Sequence, residues 1–160
     1  MEIEMVVKGL IVDPVNNMPV VILSNLDGTK ILPIWIGVFE ANAISLRLER
    51  IETPRPMTHD LLKNLLHSLD VKVNKVVVCD IKDNTFYALI YLEKEGKIIK
   101  IDSRPSDAIA LALRVDSPIY VEESVLTRAH STEMDLLDDK EKLQKWLEKL
   151  KPEDFGKYKM

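Results

Sequence analysis

Eight residues occur twice in this chain in nearly the same form. Glu40-Ala41-Asn42-Ala43-Ile44-Ser45-Leu46-Arg47 lies over Asp107-Ala108-Ile109-Ala110-Leu111-Ala112-Leu113-Arg114, with two alanines, the leucine and the arginine identical and an acid at the head of each. Upstream of each copy the residues read as three strands, and the third strands align on Gly28 and Gly96. Such a repeat is one supersecondary unit used twice. The fold it predicts is α+β: duplicated β-β-β-α units forming a largely antiparallel or mixed sheet with packed helices, plus a C-terminal amphipathic helix.

The local signals follow that order. Residues 2–12 alternate about Ile3, Met5 and Val7 and predict a strand, followed by a turn over 13–17. A second strand covers 20–23, Asp27-Gly28 predicts a tight hairpin turn, and a third strand covers 30–36. Over 39–52, apolar residues at 43, 44, 46, 48 and 51 fit a helix packed on a sheet. Between the copies Thr58 opens another helix, whose apolar stripe is Leu61, Leu62, Leu65, Leu66 and Leu69. The second copy predicts strands over 71–82, 85–92 and 97–102, with turns at Asp83-Asn84 and Glu95-Gly96. A helix over about 105–114 and a short strand over 119–121 complete it. The body is thus 1–126. Residues 127–160 form an appendage in which Leu143, Trp146, Leu147 and Leu150 share one face of a short helix.

Composition removes whole classes of function. A hydrophobic content of 46% over 160 residues supports one body with a substantial core. The single cysteine, Cys79, excludes a disulfide framework and a cysteine zinc site. Its setting, Val76-Val77-Val78-Cys79, predicts a buried small hydrophobe. A net charge of −4 argues against a non-specific nucleic-acid coat but leaves room for a local basic groove. No apolar run reaches the length of a membrane span, and the acidic, alternating N-terminus is unlike a signal peptide. The expected location is cytoplasmic. With five glycines there is no phosphate-binding glycine loop. Nor is there a Cys-x-x-Cys, His-Glu-x-x-His or Gly-x-Ser-x-Gly motif.

What chemistry remains is gathered at two helix starts, Arg55-Pro56-Met57-Thr58-His59-Asp60 and Ser103-Arg104-Pro105-Ser106-Asp107. A helix N-terminus offers free N–H groups and partial positive charge. An arginine beside it makes a seat for phosphate or carboxylate. Arg55, Arg104 and Ser106 are therefore the candidate phosphate-binding residues. Equally, Thr58, Ser103 and Ser106 are ordinary caps, and proline belongs near helix starts. Among the histidines only His59, beside Asp60, is placed for chemistry; His67 is expected at the surface or its boundary and His130 lies in the tail. Asp102 ends a strand and Asp107 begins a helix, so both could reach one crevice. With Glu40 they form a candidate oxygen set for Mg²⁺ or Mn²⁺. Ion pairs with Arg104 or Arg55 are the competing use of these acids.

Four segments resemble the bifunctional nuclease domain family. They are Ile36-Gly37-Val38-Phe39-Glu40-Ala41, Arg55-Pro56-Met57-Thr58-His59-Asp60-Leu61-Leu62, Thr85-Phe86-Tyr87-Ala88 and the run from Ile101-Asp102-Ser103-Arg104 to Ala112, in that order. The resemblance covers about residues 1–126. Two departures concern turns: Asn84 and Asp70 stand where the family often has glycine. The resemblance implies an α+β fold, a homo-oligomer (dimer or higher) and a nuclease acting on DNA and RNA. It implies no catalytic mechanism that can be carried over residue by residue.

Two functions fit these residues. In a metal-assisted nuclease, Asp102, Asp107 and Glu40 hold the ion, and Arg55, Arg104 and Ser106 bind phosphate. The catalytic residues are His59, Asp60, Asp102 and Asp107, and the partner is nucleic acid, with no membrane. The alternative is a non-catalytic oligomeric module that binds an anion or a protein, with Arg55 and Arg104 seating the anion or pairing with Asp60 and Asp107.

Overall fold

The structure, a computed structural model, describes residues 1–129. The chain runs β1 (Glu2–Val12), β2 (Pro19–Asn25), β3 (Ile31–Trp35), α1 (Val38–Leu48), α2 (Thr58–Ser68), β4 (Lys72–Lys82), β5 (Thr85–Lys94), β6 (Lys97–Ser103), α3 (Pro105–Val115), β7 (Ile119–Glu122) and α4 (Glu123–Arg128). All seven strands form one sheet in the order β3-β2-β1-β7-β4-β5-β6. Each β-β-β unit is an antiparallel meander. The last strand, β7, joins them, antiparallel to β1 and parallel to β4. The protein is mixed α+β, as the sequence predicts. The amphipathic segment expected over 140–150 lies outside the described residues.

Turn chemistry explains which boundaries could be read in advance. Asp83-Asn84 and Glu95-Gly96 are two-residue loops in which both residues have positive φ. That backbone matches the twist of the flanking strands. The Asp27-Gly28 site differs: five residues connect β2 to β3, and Asp27 is occupied by Thr29 N–H and Oγ1 at 3.0 and 2.7 Å. Helix α1 ends at Leu48 rather than near 52. Its end is closed by Ile51 N–H donating to Leu46 O at 2.8 Å and Arg50 N–H to Arg47 O at 3.1 Å, with Arg50 left-handed at φ 55°. This arrangement usually employs glycine, so an arginine there hid the boundary. The short α4 was not expected. It runs across the boundary drawn at 126 and buries Val125 and Leu126.

The core lies between the sheet and α1 and α3. Ala41, Ala43, Ala108, Ala110 and Ala112 are all buried, and their small side chains let the two repeat helices approach each other closely. Trp35 Nε1 donates to Asp13 Oδ2 at 2.8 Å, tying the β1–β2 turn to β3. Cys79 is half-buried at an irregularity in the β4–β5 pairing, not in the core, and partial burial pushes its thiol upward. No helix among the described residues is long and apolar enough to cross a membrane.

Burial is uneven across the sheet. All of edge strand β3 is buried, whereas at the opposite edge only Ser103 of β6 is not exposed. Beside β6, the leucine stripe of α2 is also largely uncovered: Leu61, Leu62, Leu65 and Leu69 are exposed and only Leu66 is half-buried.

A left-handed conformation costs a side-chain-bearing residue about 1 kcal/mol or more. Arg50 is exposed and makes no side-chain hydrogen bond among the described residues. Arg50→Gly should therefore stabilise the fold by up to about 1 kcal/mol, and Arg50→Val should destabilise it. Urea unfolding of the two variants beside the parent measures both signs.

Candidate functional site

Three helices start at one place. Helices α1, α2 and α3 each carry an acid in the first turn, Glu40, Asp60 and Asp107. The positive helix end favours an acid there. Their N-cap residues are Gly37, Met57 and Arg104, not the expected hydroxyl caps. Thr58 is the first helical residue of α2, and Ser103 Oγ donates to the Arg104 carbonyl at 2.9 Å. Ser106 lies inside α3 with 0% exposure, which removes it from the surface and so from the phosphate-binding set.

Arg104 is the hub. A residue before proline is disfavoured in helical backbone, and Arg104 stays extended at φ −71°, ψ 143° ahead of Pro105. Its guanidinium grips Asp107 Oδ2 with Nε at 2.8 Å and Nη2 at 2.7 Å. The same Nη2 reaches Glu40 Oε1 at 3.0 Å. The second oxygen of Asp107, Oδ1, meets His59 Nε2 at 2.9 Å. A continuous polar chain, His59–Asp107–Arg104–Glu40, thus ties α2 to α3 and α1. Beside it, buried Arg114 donates from Nε to Asp60 Oδ1 at 2.7 Å, and its other nitrogens donate to the carbonyls of Ala110 and Ala43, each at 3.0 Å. Asp60 Oδ2 accepts the Met57 N–H at 3.0 Å.

These contacts set the protonation states. Burial pushes the Asp107 carboxyl upward, but the hydrogen bonds from His59 and Arg104 outweigh it and hold the group below the usual carboxylate range. Burial opposes the charge on Asp60 too, and the Met57 N–H and Arg114 overcome it. An ionised Asp107 can only accept, so the proton shared with His59 sits on Nε2. When the ring is neutral, Nδ1 is then its basic nitrogen.

The cluster stands at the end of an apolar groove of about 640 Å³ between α2 and the β5–β6 hairpin. His59, Arg104 and Asp107 line it where α2 begins, and Leu62, Leu65, Ile90, Leu92 and Ile101 line the remainder. The structure therefore brings together Glu40, His59, Arg104 and Asp107, with Asp60 one step away through Arg114. It does not bring in two expected members. Arg55 lies exposed in the loop before α2 and makes no side-chain hydrogen bond or ion pair among the described residues. Asp102 is at the groove edge, but it pairs with Leu89, while Ser103 pairs with Ala88 and Ile101 with Ile90 on the core face. Alternation along β6 turns the Asp102 side chain to the face opposite α3, so although both residues line the groove its carboxylate is not aimed at Asp107. His67 is exposed as expected, and His130 lies outside the described residues. Arg114 was missed as a site residue. Its signal was the repeat itself, which pairs it with Arg47, whose Nε donates to Leu113 O at 3.1 Å.

The expected oxygen set does not fit a divalent ion as it stands. Asp102 faces away, both Asp107 oxygens are engaged, and one Glu40 oxygen is held by Arg104. Glu40 Oε2 is the one oxygen of these three carboxylates that is buried without a partner. Among the described residues no three His, Cys, Asp or Glu side chains are grouped to hold a metal.

Comparison with known proteins places this body among relatives. The bifunctional nuclease domain matches residues 21–134. An uncharacterized protein of Mycobacterium tuberculosis is 40% identical over 162 residues, covering 95% of this chain and 97% of its own length. Bifunctional nuclease 1 of Oryza sativa subsp. indica is 31% identical over 110 residues, 66% of this chain. Bifunctional nuclease 1 of Arabidopsis thaliana is 28% identical over 107 residues, 64% of this chain. The match spans 33% of each plant protein.

Removing the charge from Asp60 leaves a 5%-exposed guanidinium short of its counter-ion. Asp60→Asn should cost about 2 kcal/mol, less than a fully buried pair because Asp60 itself is partly solvated. Asp60 and Asp107 both have folded-state pKa values below those of the unfolded chain. The stability they contribute is complete above a pH of about 4 and is lost as pH falls through the depressed folded values. Denaturant midpoints between pH 7 and pH 2.5 should fall more gently for Asp60→Asn than for the parent.

Proposed function

This chain belongs to the bifunctional nuclease domain family, and on that premise we propose that it is a nuclease that hydrolyses phosphodiester bonds of DNA or RNA at the His59–Asp107–Arg104 cluster. The observation that carries the reading is the meeting of three helix N-termini with a histidine–carboxylate pair and an arginine on the wall of an open groove. Helix starts and a guanidinium suit a phosphate and the charge that grows on it as water adds. His59 Nδ1 would take the proton of the attacking water as the P–O ester bond breaks, and the departing oxygen would receive a proton in turn. Asp107 positions the ring. Arg55, exposed three residues before α2, would meet a neighbouring phosphate of the same strand. No step is assigned to a metal, because the carboxylate oxygens that would hold it are mostly engaged.

One observation favours the second reading, a non-catalytic module that binds an anion or a protein: Arg104 is already paired with two carboxylates. Digestion of single- and double-stranded DNA and RNA by the purified full chain separates the two. Mg²⁺, Mn²⁺ and EDTA arms test the role of metal.

In the nuclease reading His59→Ala and Arg104→Ala each lower kcat/KM by about 100-fold or more. Arg55→Ala raises KM with kcat nearly unchanged. Cleavage at parental rates by both His59→Ala and Arg104→Ala would discard this site. Absence of cleavage under all three ion conditions, together with a thermal shift on adding phosphate or mononucleotides, would establish the binding module instead.

A further inference from the structure

The sheet has two edges, and the chain treats them differently. β3 is buried along its whole length and contains Pro33, which cannot donate to a further strand. β6 is exposed from Lys97 to Asp102 and contains no proline. Beside it the leucines of α2 stand exposed, with Leu61 at 52%, Leu65 at 50% and Leu69 at 58%, and Ile99 and Ile101 of β6 are 45% and 43% exposed. An open strand edge next to a row of uncovered leucines needs a cover.

We propose that the cover is a second copy of this chain, paired antiparallel through β6 with Ile101 opposite its own copy. The two-residue loop at Glu95-Gly96 makes Lys94 and Lys97 a hydrogen-bonded pair. The main-chain groups of Lys97, Ile99 and Ile101 therefore face β5, and those of Ile98, Lys100 and Asp102 lie on the open edge. A two-fold axis through the edge must pair residues of equal parity, and charge favours the register that sets Lys100 against Asp102. Centred on Lys100, two lysines would oppose each other. Centred on Ile101, Lys100 faces Asp102 of the other copy and Asp102 faces its Lys100, so both exchange main-chain hydrogen bonds and both form ion pairs. Asp102 makes no salt bridge among the described residues, and Lys100 is held at this face by the Tyr91 ring, 5.3 Å from its Nζ. On the groove face Ile101 meets its own copy and Ile99 lies opposite Ser103 of the other copy, which carries the apolar floor up to the axis.

The axis is perpendicular to the sheet, so both His59–Asp107–Arg104 clusters open on the same surface. Arg104 lies opposite residue 98 of the other copy, which sets the two arginines about 20 Å apart along the strands. The pairing does not depend on what the clusters bind.

Sedimentation velocity or light scattering on the full chain tests the pairing. The parent should run as a dimer, at twice the 18.3 kDa of one chain, or as an assembly of dimers. Lys100→Asp alone and Asp102→Lys alone should each lose the dimer, since each sets like charges opposite one another twice. An equimolar mixture of the two variants should restore a dimer, and so should the double variant Lys100→Asp/Asp102→Lys. This recovery separates a lost interface from a lost fold. A monomeric parent overturns the proposal and leaves the edge to the chain's own residues beyond 129 or to solvent. A dimer that survives either single reversal, or a mixture that stays monomeric, overturns it equally.

Discussion

Holding three positive helix ends together is the constraint on which the site depends. Each end carries about half a positive charge, and α1, α2 and α3 bring theirs within the reach of single side chains. Glu40, Asp60 and Asp107 supply three negative charges, and Arg104 and Arg114 return two positive ones. The side chains thus leave one negative charge against the combined helix ends, close to balance. Arg104 does more than neutralise: among the described residues it alone touches the acids of both repeat helices, and it adds to the bonds from Arg114 to the Ala43 carbonyl and from Arg47 to the Leu113 carbonyl that hold α1 against α3. His59 adds α2 through Asp107. Any variant that moves one helix start therefore moves the others.

The duplicated unit was legible because its signals are local. Period-two strands, two-residue loops at Asp83-Asn84 and Glu95-Gly96, and Pro105 at the start of α3 each act within a few residues. What was not legible came from tertiary pairing or from residues in roles usually given to others. Arg50 takes the left-handed position at the end of α1, and Asp70 does so after α2. His59 meets Asp107 across 48 residues, and Arg114 meets Asp60 across 54. Nothing in the local pattern of either residue names its partner. Closeness in the chain suggests that Asp102 joins Asp107, whereas a strand sends successive side chains to opposite faces. The parity could not be fixed from the sequence because Ile98 and Ile99 are both apolar.

The leucines of α2 carry a related lesson. Helical spacing shows that a face needs covering but not what covers it. For β2 and β3 the cover is this chain's own core, and residues on both faces of those strands are buried. For α2 and β6 the described residues supply only one side, and the result is a groove with the polar cluster at its end. An apolar floor running up to a charged cluster is poor design for a closed monomer. It is consistent for a surface that receives something, and the cluster and the open edge are features of the same corner of the fold.

The family match begins at residue 21, inside β2, and so leaves out β1. The sheet cannot do without that strand. Glu2–Val12 lies between β2 and β7 and pairs with both, so it alone joins the β2–β3 edge to the half that holds β4, β5 and β6. Without it, α1 and Glu40 would be tied to α3 only through side chains, and the alignment of the first helix start with Arg104 would lose its scaffold. The residues of the cluster all lie within 21–134, yet their geometry is held from outside that span. A chain that keeps the matched residues but lacks an equivalent of β1 would keep the chemistry and lose the arrangement. This bears directly on the plant relatives, where the shared segment is a third of a longer chain: what must be found in them is a strand able to sit between β2 and β7.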